Sequence, residues 1–231
     1  MTYLVLIASV LIGVLLVQLV NDLKASAIKL LLAFSGAYLF AISVFHLLPE
    51  IYIGDGKRIG LFLLIGFILQ ILLEFFSQGI EHGHGHLQNK TIPISMLISL
   101  AIHAYLEGMP LGGIEHHGHS HGDFESSLLT GIALHKIPVT IVLMSLFSQA
   151  GFSKIKSFIL IGVFALMAPL GTLSGNLVHE LSYYHREIMA IVVGIFLHIS
   201  TTILFETSEA HKFNFQKLVA IALGSVLAWM V

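Results

Sequence analysis

Residues Ile92–Gly112 read IPISMLISLAIHAYLEGMPLG, an apolar run that contains two ionisable side chains, His103 and Glu107. The run is long enough to cross the hydrocarbon core of a bilayer, which takes roughly 20 apolar residues. An ionisable side chain at that depth costs several kcal/mol and by default has a functional role. This stretch therefore predicts a membrane-spanning helix that carries chemistry.

Similar apolar runs flank this stretch on both sides, and together they predict an all-α membrane protein of about eight transmembrane helices. The connections between the runs are short, so residues 1–231 are expected to form a single transmembrane domain. The eight predicted spans are Tyr3–Val20, Ile28–Leu48, Ile59–Ile80, Ile92–Gly112, Ser127–Gln149, Ser157–Val178, Arg186–Phe205 and Phe215–Val231.

Prolines and glycines inside these spans predict how the helices bend and pack. Pro110 in span four and Pro138 in span five are expected to kink helices four and five, because proline removes a backbone hydrogen bond. Glycines let neighbouring helices approach closely in a membrane. The glycines predicted to do so are Gly36, Gly66, Gly131, Gly162, Gly171, Gly175 and Gly194.

The composition agrees with a lipid environment. The chain is 56% hydrophobic and only 10% charged, whereas soluble chains carry about 25% charged residues. A net charge of −2 argues against a nucleic-acid partner. The chain has no cysteine, so any metal ion must be held by nitrogen and oxygen ligands.

The distribution of Lys and Arg predicts the orientation, because cytoplasmic loops are enriched in these residues. One set of alternate loops holds Lys24, Lys29, Lys90, Lys154, Lys156, Lys212 and Lys217. The other set holds Lys57, Arg58 and Arg186. The first set is expected in the cytoplasm, which places both termini outside.

Spans four and five carry the candidate metal ligands. His103 and Glu107 are four residues apart and therefore share one helix face, and span five contains His135 and Lys136 shortly before Pro138. Two imidazoles and one carboxylate fit an open zinc site, with remaining positions for water. The alternative is a hydrogen-bonded polar cluster that only fastens helices together.

Two connections are rich in histidine. Alternating His and Gly supplies flexible imidazole ligands, which suit zinc or a similar ion. The first segment is expected in the cytoplasm and the second outside; capture of metal, sensing and a minor role all remain open. The histidines concerned are His82, His84 and His86 in the first segment and His116, His117, His119 and His121 in the second.

At this point the sequence resembles a known family, the ZIP (Zrt/Irt-like) metal transporters. The family's fourth span carries a His-x-x-x-Asp/Glu-Gly pattern, present here as His103–Gly108, and its fifth carries a His-x-x-Pro-like pattern, present as His135–Val139. His46–Glu50, which reads HLLPE, is similar to a signature at the end of span two. Gly194–Ser200 resembles the seventh span.

The resemblance implies a transporter, not an enzyme, that moves a divalent metal into the cytoplasm. Zinc is the expected substrate, with Fe²⁺, Mn²⁺ and Cd²⁺ as alternatives. Spans two, four, five and seven would line the path, with His46 and Glu50 toward the outer mouth and His198 and Glu206 toward the inner half. The compact form favours a bacterial inner membrane, and the sequence is compatible with a homodimer.

The departures from the family pattern predict a single-ion site. Many members bind two ions through side chains at positions that are Ala104, Lys136 and Val139 here, with a further acid at the position of Ala168. The second ion site therefore looks lost. We hypothesise that the Lys136 ammonium replaces the second cation and keeps Glu107 ionised, since an opposite charge within about 4–6 Å favours the charged form.

Three other functions compete with transport into the cytoplasm. A membrane-embedded zinc-dependent hydrolase could use the same ligands to activate water, although the sequence lacks a His-Glu-x-x-His motif. A cation-diffusion exporter also has His-rich loops, but it usually has a soluble C-terminal domain that this sequence lacks. A metal sensor that does not transport is the third alternative.

Overall fold

A computed structural model describes residues 1–20, 24–54, 56–77, 92–112, 122–205 and 215–231. These residues form α-helices and helical turns, and no strand occurs among them. A π-helical turn, Ser43–Leu47, joins the second and third helices, and a 3₁₀ turn, Met109–Leu111, follows the fifth. The helices are α1 (Thr2–Leu19), α2 (Ala25–Ile42), α3 (Leu48–Ile51), α4 (Gly56–Ser77), α5 (Ile94–Gly108), α6 (Gly122–Gln149), α7 (Lys154–Leu177), α8 (His179–Tyr183), α9 (His185–Phe205) and α10 (Phe215–Met230).

The prediction of an all-α membrane protein is confirmed. Within the described residues, seven stretches of helix are long and apolar enough to cross a membrane. The eighth predicted span is the shorter helix α10, whose 16 residues extend about 24 Å at 1.5 Å per residue. Because α2, the π-helical turn and α3 run on without a break, they form one span, Ala25–Ile51.

The two prolines that were predicted to kink their helices lie in different local structures. Pro110 lies in the 3₁₀ turn that ends α5, and Pro138 lies inside α6, which continues beyond it to Gln149. A third proline, Pro49, follows the π-helical turn. Proline cannot donate to the carbonyl four residues earlier. At Pro110 and Pro49 the helix type changes locally, whereas at Pro138 the α-helix continues. π-helical turns are frequent at functional sites.

The helices pack in pairs around a shared interior. The closest pairs are α4 with α9, α10 with α2, α1 with α6 and α5 with α7. Helix α2 also packs on both α6 and α9, and α4 packs on α5. These contacts bring α5, α6 and α9, which carry the buried ionisable groups, into one connected assembly with α4.

Glycines form the closest contacts within these pairs. A Cβ added to Gly66 of α4 would lie 2.0 Å from the carbonyl oxygen of Ile191, and one added to Gly171 of α7 would lie 2.0 Å from that of Tyr105. Gly162 is different, because an added Cβ would meet nothing within 4 Å. The prediction that Gly162 allows close helix packing is therefore wrong, since it lies on a face of α7 that no helix of the described chain approaches there.

Candidate metal centre

Helix α5 presents an imidazole and a carboxylate to the interior one turn apart. Nε2 of His103 and Oε1 of Glu107 are 2.9 Å apart. The i, i+4 spacing places both side chains on one helix face. That face packs inward because the rest of it is small or apolar, as at Ala104, which is fully buried.

Helix α6 supplies an imidazole and an ammonium group to the same point. One ligand atom each from His103, Glu107 and His135 lie within 4.8 Å of one another. The next residue, Lys136, donates from Nζ to Oε2 of Glu107 at 2.9 Å. The carboxylate therefore has His103 against one oxygen and Lys136 against the other. The Lys136 ammonium also lies 4.9 Å from the ring centroid of Phe164 on α7, which is cation–π range.

All four side chains are withdrawn from the surface. The residues His103, Glu107, His135 and Lys136 are each exposed by 2% or less. A lone charge placed there would carry a large desolvation cost. The pair of Glu107 and Lys136 reduces that cost because the two charges compensate each other at 2.9 Å.

The end of α5 is fixed beside the carboxylate. Thr172 Oγ1 on α7 donates to the carbonyl oxygen of Gly108 at 2.9 Å. A Cβ added to Gly108 would lie 2.0 Å from the carbonyl oxygen of Ala168. A ring nitrogen of His185 lies 3.0 Å from the carbonyl oxygen of Pro110. These contacts give the backbone that carries Glu107 little freedom to move.

The donor set suits a divalent transition metal. Zinc binds imidazole nitrogen and carboxylate oxygen at 2.0–2.2 Å, and two ligands of a tetrahedral site at that range are about 3.3 Å apart. The 2.9 Å between Nε2 of His103 and Oε1 of Glu107 is close to that separation. Three protein ligands would leave a coordination position for water.

The positions expected to bind a second ion in relatives offer no side-chain ligand here. Ala104, Val139 and Ala168 are all buried and apolar. Lys136, the remaining residue of that set, directs its ammonium at Glu107. Among these four positions, therefore, none presents a lone pair that could bind a second cation.

The two residues expected at the outer mouth lie at the end of span two. His46 is in the π-helical turn, with Nε2 2.9 Å from the carbonyl oxygen of Ala228 on α10. A ring nitrogen that faces a carbonyl oxygen must carry the proton, which leaves Nδ1 as the possible metal ligand. Glu50 is half-buried in α3. The structure does not bring either residue into the group formed by His103, Glu107 and His135.

His198, expected toward the inner half, faces a residue that the sequence analysis did not identify. Its Nδ1 lies 3.4 Å from Oε2 of Glu74 on α4, and the Phe67 ring contacts its edge at 5.0 Å between centroids. We call Glu74 and His198 the inner pair. Glu74 could have been found, because it is an ionisable residue inside a predicted span. The contact between Glu74 and His198 could not have been predicted, since the sequence does not show which spans are neighbours.

The remaining expected residues lie outside the described part of the chain. These are Glu206 and the histidines of the two His-rich segments, His82, His84, His86, His116, His117, His119 and His121. Their expected roles remain predictions.

Comparison with known families adds an independent finding. Residues 79–231 match the family described as ZIP Zinc transporter. The match covers well over half of the chain and includes both helices that form the metal centre, α5 and α6. A comparison with curated proteins gave no match.

Proposed function

Because the chain belongs to the ZIP zinc transporter family, we propose that it carries zinc into the cytoplasm through one ion site formed by His103, Glu107 and His135. The family moves divalent metal ions through membranes, and the helices that could cross a membrane make this chain a multi-pass membrane protein. The observation that carries the proposal is the buried His/Glu/His group on two adjacent spans.

Zinc is the substrate that fits this donor set best. Imidazole nitrogen is a ligand of borderline softness, and the carboxylate adds one hard oxygen, a combination that zinc accepts in tetrahedral geometry. Fe²⁺, Mn²⁺ and Cd²⁺ also bind such ligands, and their relative rates are part of the test below. Three protein ligands leave a position for water, which lets the ion exchange ligands as it enters and leaves.

Lys136 has two roles in this proposal. Without metal, its ammonium compensates the Glu107 carboxylate, so the empty carrier does not contain an isolated buried charge. With metal bound, the same ammonium repels the ion at short range, which weakens binding and favours release. Phe164 offers the displaced ammonium a second favourable contact, because the aromatic face attracts cations.

The ion path and its direction follow from the orientation. Loops rich in Lys face the cytoplasm and both termini lie outside, so α5 runs from the cytoplasmic side at Ile94 to the outer side at Gly108. Metal would pass His46 and Glu50, bind at the centre, and leave past His198 and Glu206. The bacterial inner membrane is the proposed location.

Uptake into proteoliposomes tests the proposal. The purified chain should take up Zn²⁺, and a panel of Zn²⁺, Cd²⁺, Fe²⁺ and Mn²⁺ gives the selectivity. His103→Ala and Glu107→Ala should each lower uptake by about 10- to 100-fold or more. Loss of a residue that only supports a metal ligand already costs about that much, and these two residues are the ligands themselves. Glu180→Ala, which removes an exposed carboxylate in α8, is the matched control and should transport normally. Equal Zn²⁺ uptake by the natural chain and all three variants would contradict the proposal. Hydrolytic activity without any Zn²⁺ flux would also contradict it.

A further inference from the structure

The inner pair lies about one helical turn from the metal centre in depth along α5. Ser99 Oγ on α5 donates to the carbonyl oxygen of Leu73 on α4 at 2.5 Å, which fixes the relative depth of the two helices. Glu74 follows Leu73 directly, and His103 lies four residues beyond Ser99. At 1.5 Å per residue, His103 is about 6 Å further along α5. The inner pair is therefore on the Ile94 side of the centre, where α5 begins.

Exposure increases from the centre to the inner pair. The side chains of His103 and Glu107 are exposed by 3% and 1%, whereas those of His198 and Glu74 are exposed by 11% and 26%. An ionisable group at membrane depth faces the bundle interior or a water-filled cavity. Partial exposure of an ionisable pair within a span favours contact with water over contact with lipid.

The geometry of the inner pair suits a shared cation. Nδ1 of His198 and Oε2 of Glu74 are 3.4 Å apart, and two ligands of tetrahedral zinc are about 3.3 Å apart. Gln70, fully buried, lies one turn before Glu74 on the same face of α4 and adds a polar side chain between the inner pair and the depth of the centre. Two protein ligands bind an ion less firmly than three, and a conducting path needs sites weak enough for the ion to leave.

From these observations we propose that Glu74 and His198 form a second, weaker binding station for the transported divalent cation, between the centre and the cytoplasm. The proposal rests on the transport function proposed above. The proposal gives α4, which is the third span, a place in the ion path. The family resemblance assigns the path to spans two, four, five and seven, and so does not include α4. The ion would leave His103, Glu107 and His135, bind to Glu74 and His198 with water in the other positions, and then enter the aqueous phase.

Protection of a thiol by metal tests the station directly. The natural chain has no cysteine, so Glu74→Cys introduces a single thiol at the station. Zn²⁺ should slow its alkylation by a small maleimide, because a metal-bound thiolate is not free to react. Adding His198→Ala should raise the half-protecting Zn²⁺ concentration by about tenfold or more. Glu180→Cys, an exposed position in α8, is the matched control, and Zn²⁺ should not protect it.

Three results would overturn the station. Zn²⁺ could fail to protect Glu74→Cys any better than Glu180→Cys, or protection could be unchanged by His198→Ala. The thiol of Glu74→Cys could also fail to react in the absence of metal, which would show that the station has no access to water.

A second experiment separates the station from the central site and from a merely structural ion pair. Protection of Glu74→Cys should persist when His103→Ala and Glu107→Ala are added, so failure of the central site would not remove it. Glu74→Gln keeps a hydrogen-bonding group toward His198 but loses the charge. It should lower the maximal uptake rate several-fold with little change in KM, whereas a pair that only fastens α4 to α9 would leave the maximal rate unchanged.

Discussion

The Lys136 ammonium distinguishes this centre from a simple set of three ligands. It lies 2.9 Å from one oxygen of Glu107, while His103 lies 2.9 Å from the other. The carboxylate therefore interacts with a fixed cation before any metal arrives. The central question at the residue scale is how removal of that cation changes the affinity for metal.

Lys136→Ala should bind Zn²⁺ more tightly and release it more slowly. Removing a like charge a few ångströms from the ion strengthens binding. Even at an effective dielectric constant of about 20, the repulsion between two unit charges about 4 Å apart is about 4 kcal/mol before relaxation. We expect at least a tenfold lower Kd and a lower turnover rate, measured by titration of the purified protein and by uptake. Lys136→Arg, which keeps the charge, is the control. Unchanged stoichiometry, affinity and uptake in Lys136→Ala would contradict the counter-ion role.

The same substitution should make stability depend on metal. Glu107 without Lys136 is an uncompensated buried charge, and breaking a buried pair costs about 3–5 kcal/mol. In a chelator, Lys136→Ala should therefore have a lower Tm than the natural protein. Addition of Zn²⁺ should raise the Tm of Lys136→Ala by more than it raises the Tm of the natural protein. Equal Tm values in the chelator would show that the pair contributes nothing to the fold.

Residue-level prediction from sequence worked where helical periodicity suffices. The four-residue spacing of His103 and Glu107 places them together without any knowledge of the tertiary structure. The meeting of His135 with that pair was expected from their depth in neighbouring spans and from the family resemblance. The contacts of Glu74 with His198 and of Lys136 with Phe164 depend on which helices pack together, and hydropathy carries no such information.

At the scale of elements, the glycines of the helix pairs hold the centre in place. Gly171 on α7 packs against the backbone of α5 beside Tyr105, between His103 and Glu107 along the chain. Any side chain at that position would push α5 and α7 apart. The spacing of the two helices is thus linked to the position of the ligands.

Two glycines of α7 provide a matched pair of substitutions. Gly171→Ala should destabilise the protein by about 1–3 kcal/mol or more, because its Cβ would overlap the Tyr105 carbonyl. Gly162→Ala should be neutral or stabilising, since the site is open and alanine favours helix by up to about 1 kcal/mol. Thermal unfolding in detergent measures both. Similar Tm changes for the two variants would contradict the proposed close packing of α5 and α7.

Hydropathy predicted the elements to within a few residues and erred for identifiable reasons. Helix α7 begins at Lys154 where the prediction began at Ser157, because polar residues continue a helix into the headgroup region without adding to an apolar run. The short helix α8 and the π-helical turn were missed. The first is too short for a periodic signal, and the second reads as ordinary helix in sequence.

At the scale of the whole molecule, the Lys and Arg content of alternating loops predicts the orientation. Because the chain lacks cysteine, single substitutions such as Lys57→Cys at the start of α4 and Lys154→Cys at the start of α7 can be labelled one at a time. An impermeant maleimide added to intact cells should label Lys57→Cys, and Lys154→Cys only after the membrane is opened. The reverse pattern would mean that both termini face the cytoplasm and that α5 runs in the opposite direction.

The central claim is that one divalent ion binds between His103, Glu107 and His135. An anomalous difference map at the zinc edge, from crystals soaked in Zn²⁺, tests it most directly. Within the membrane-spanning core, we expect a strong peak about 2.0–2.2 Å from the three ligand atoms, the usual range for zinc with nitrogen and oxygen ligands. We expect no second peak beside the Lys136 ammonium. An empty centre, or two peaks bridged by Glu107, would contradict it.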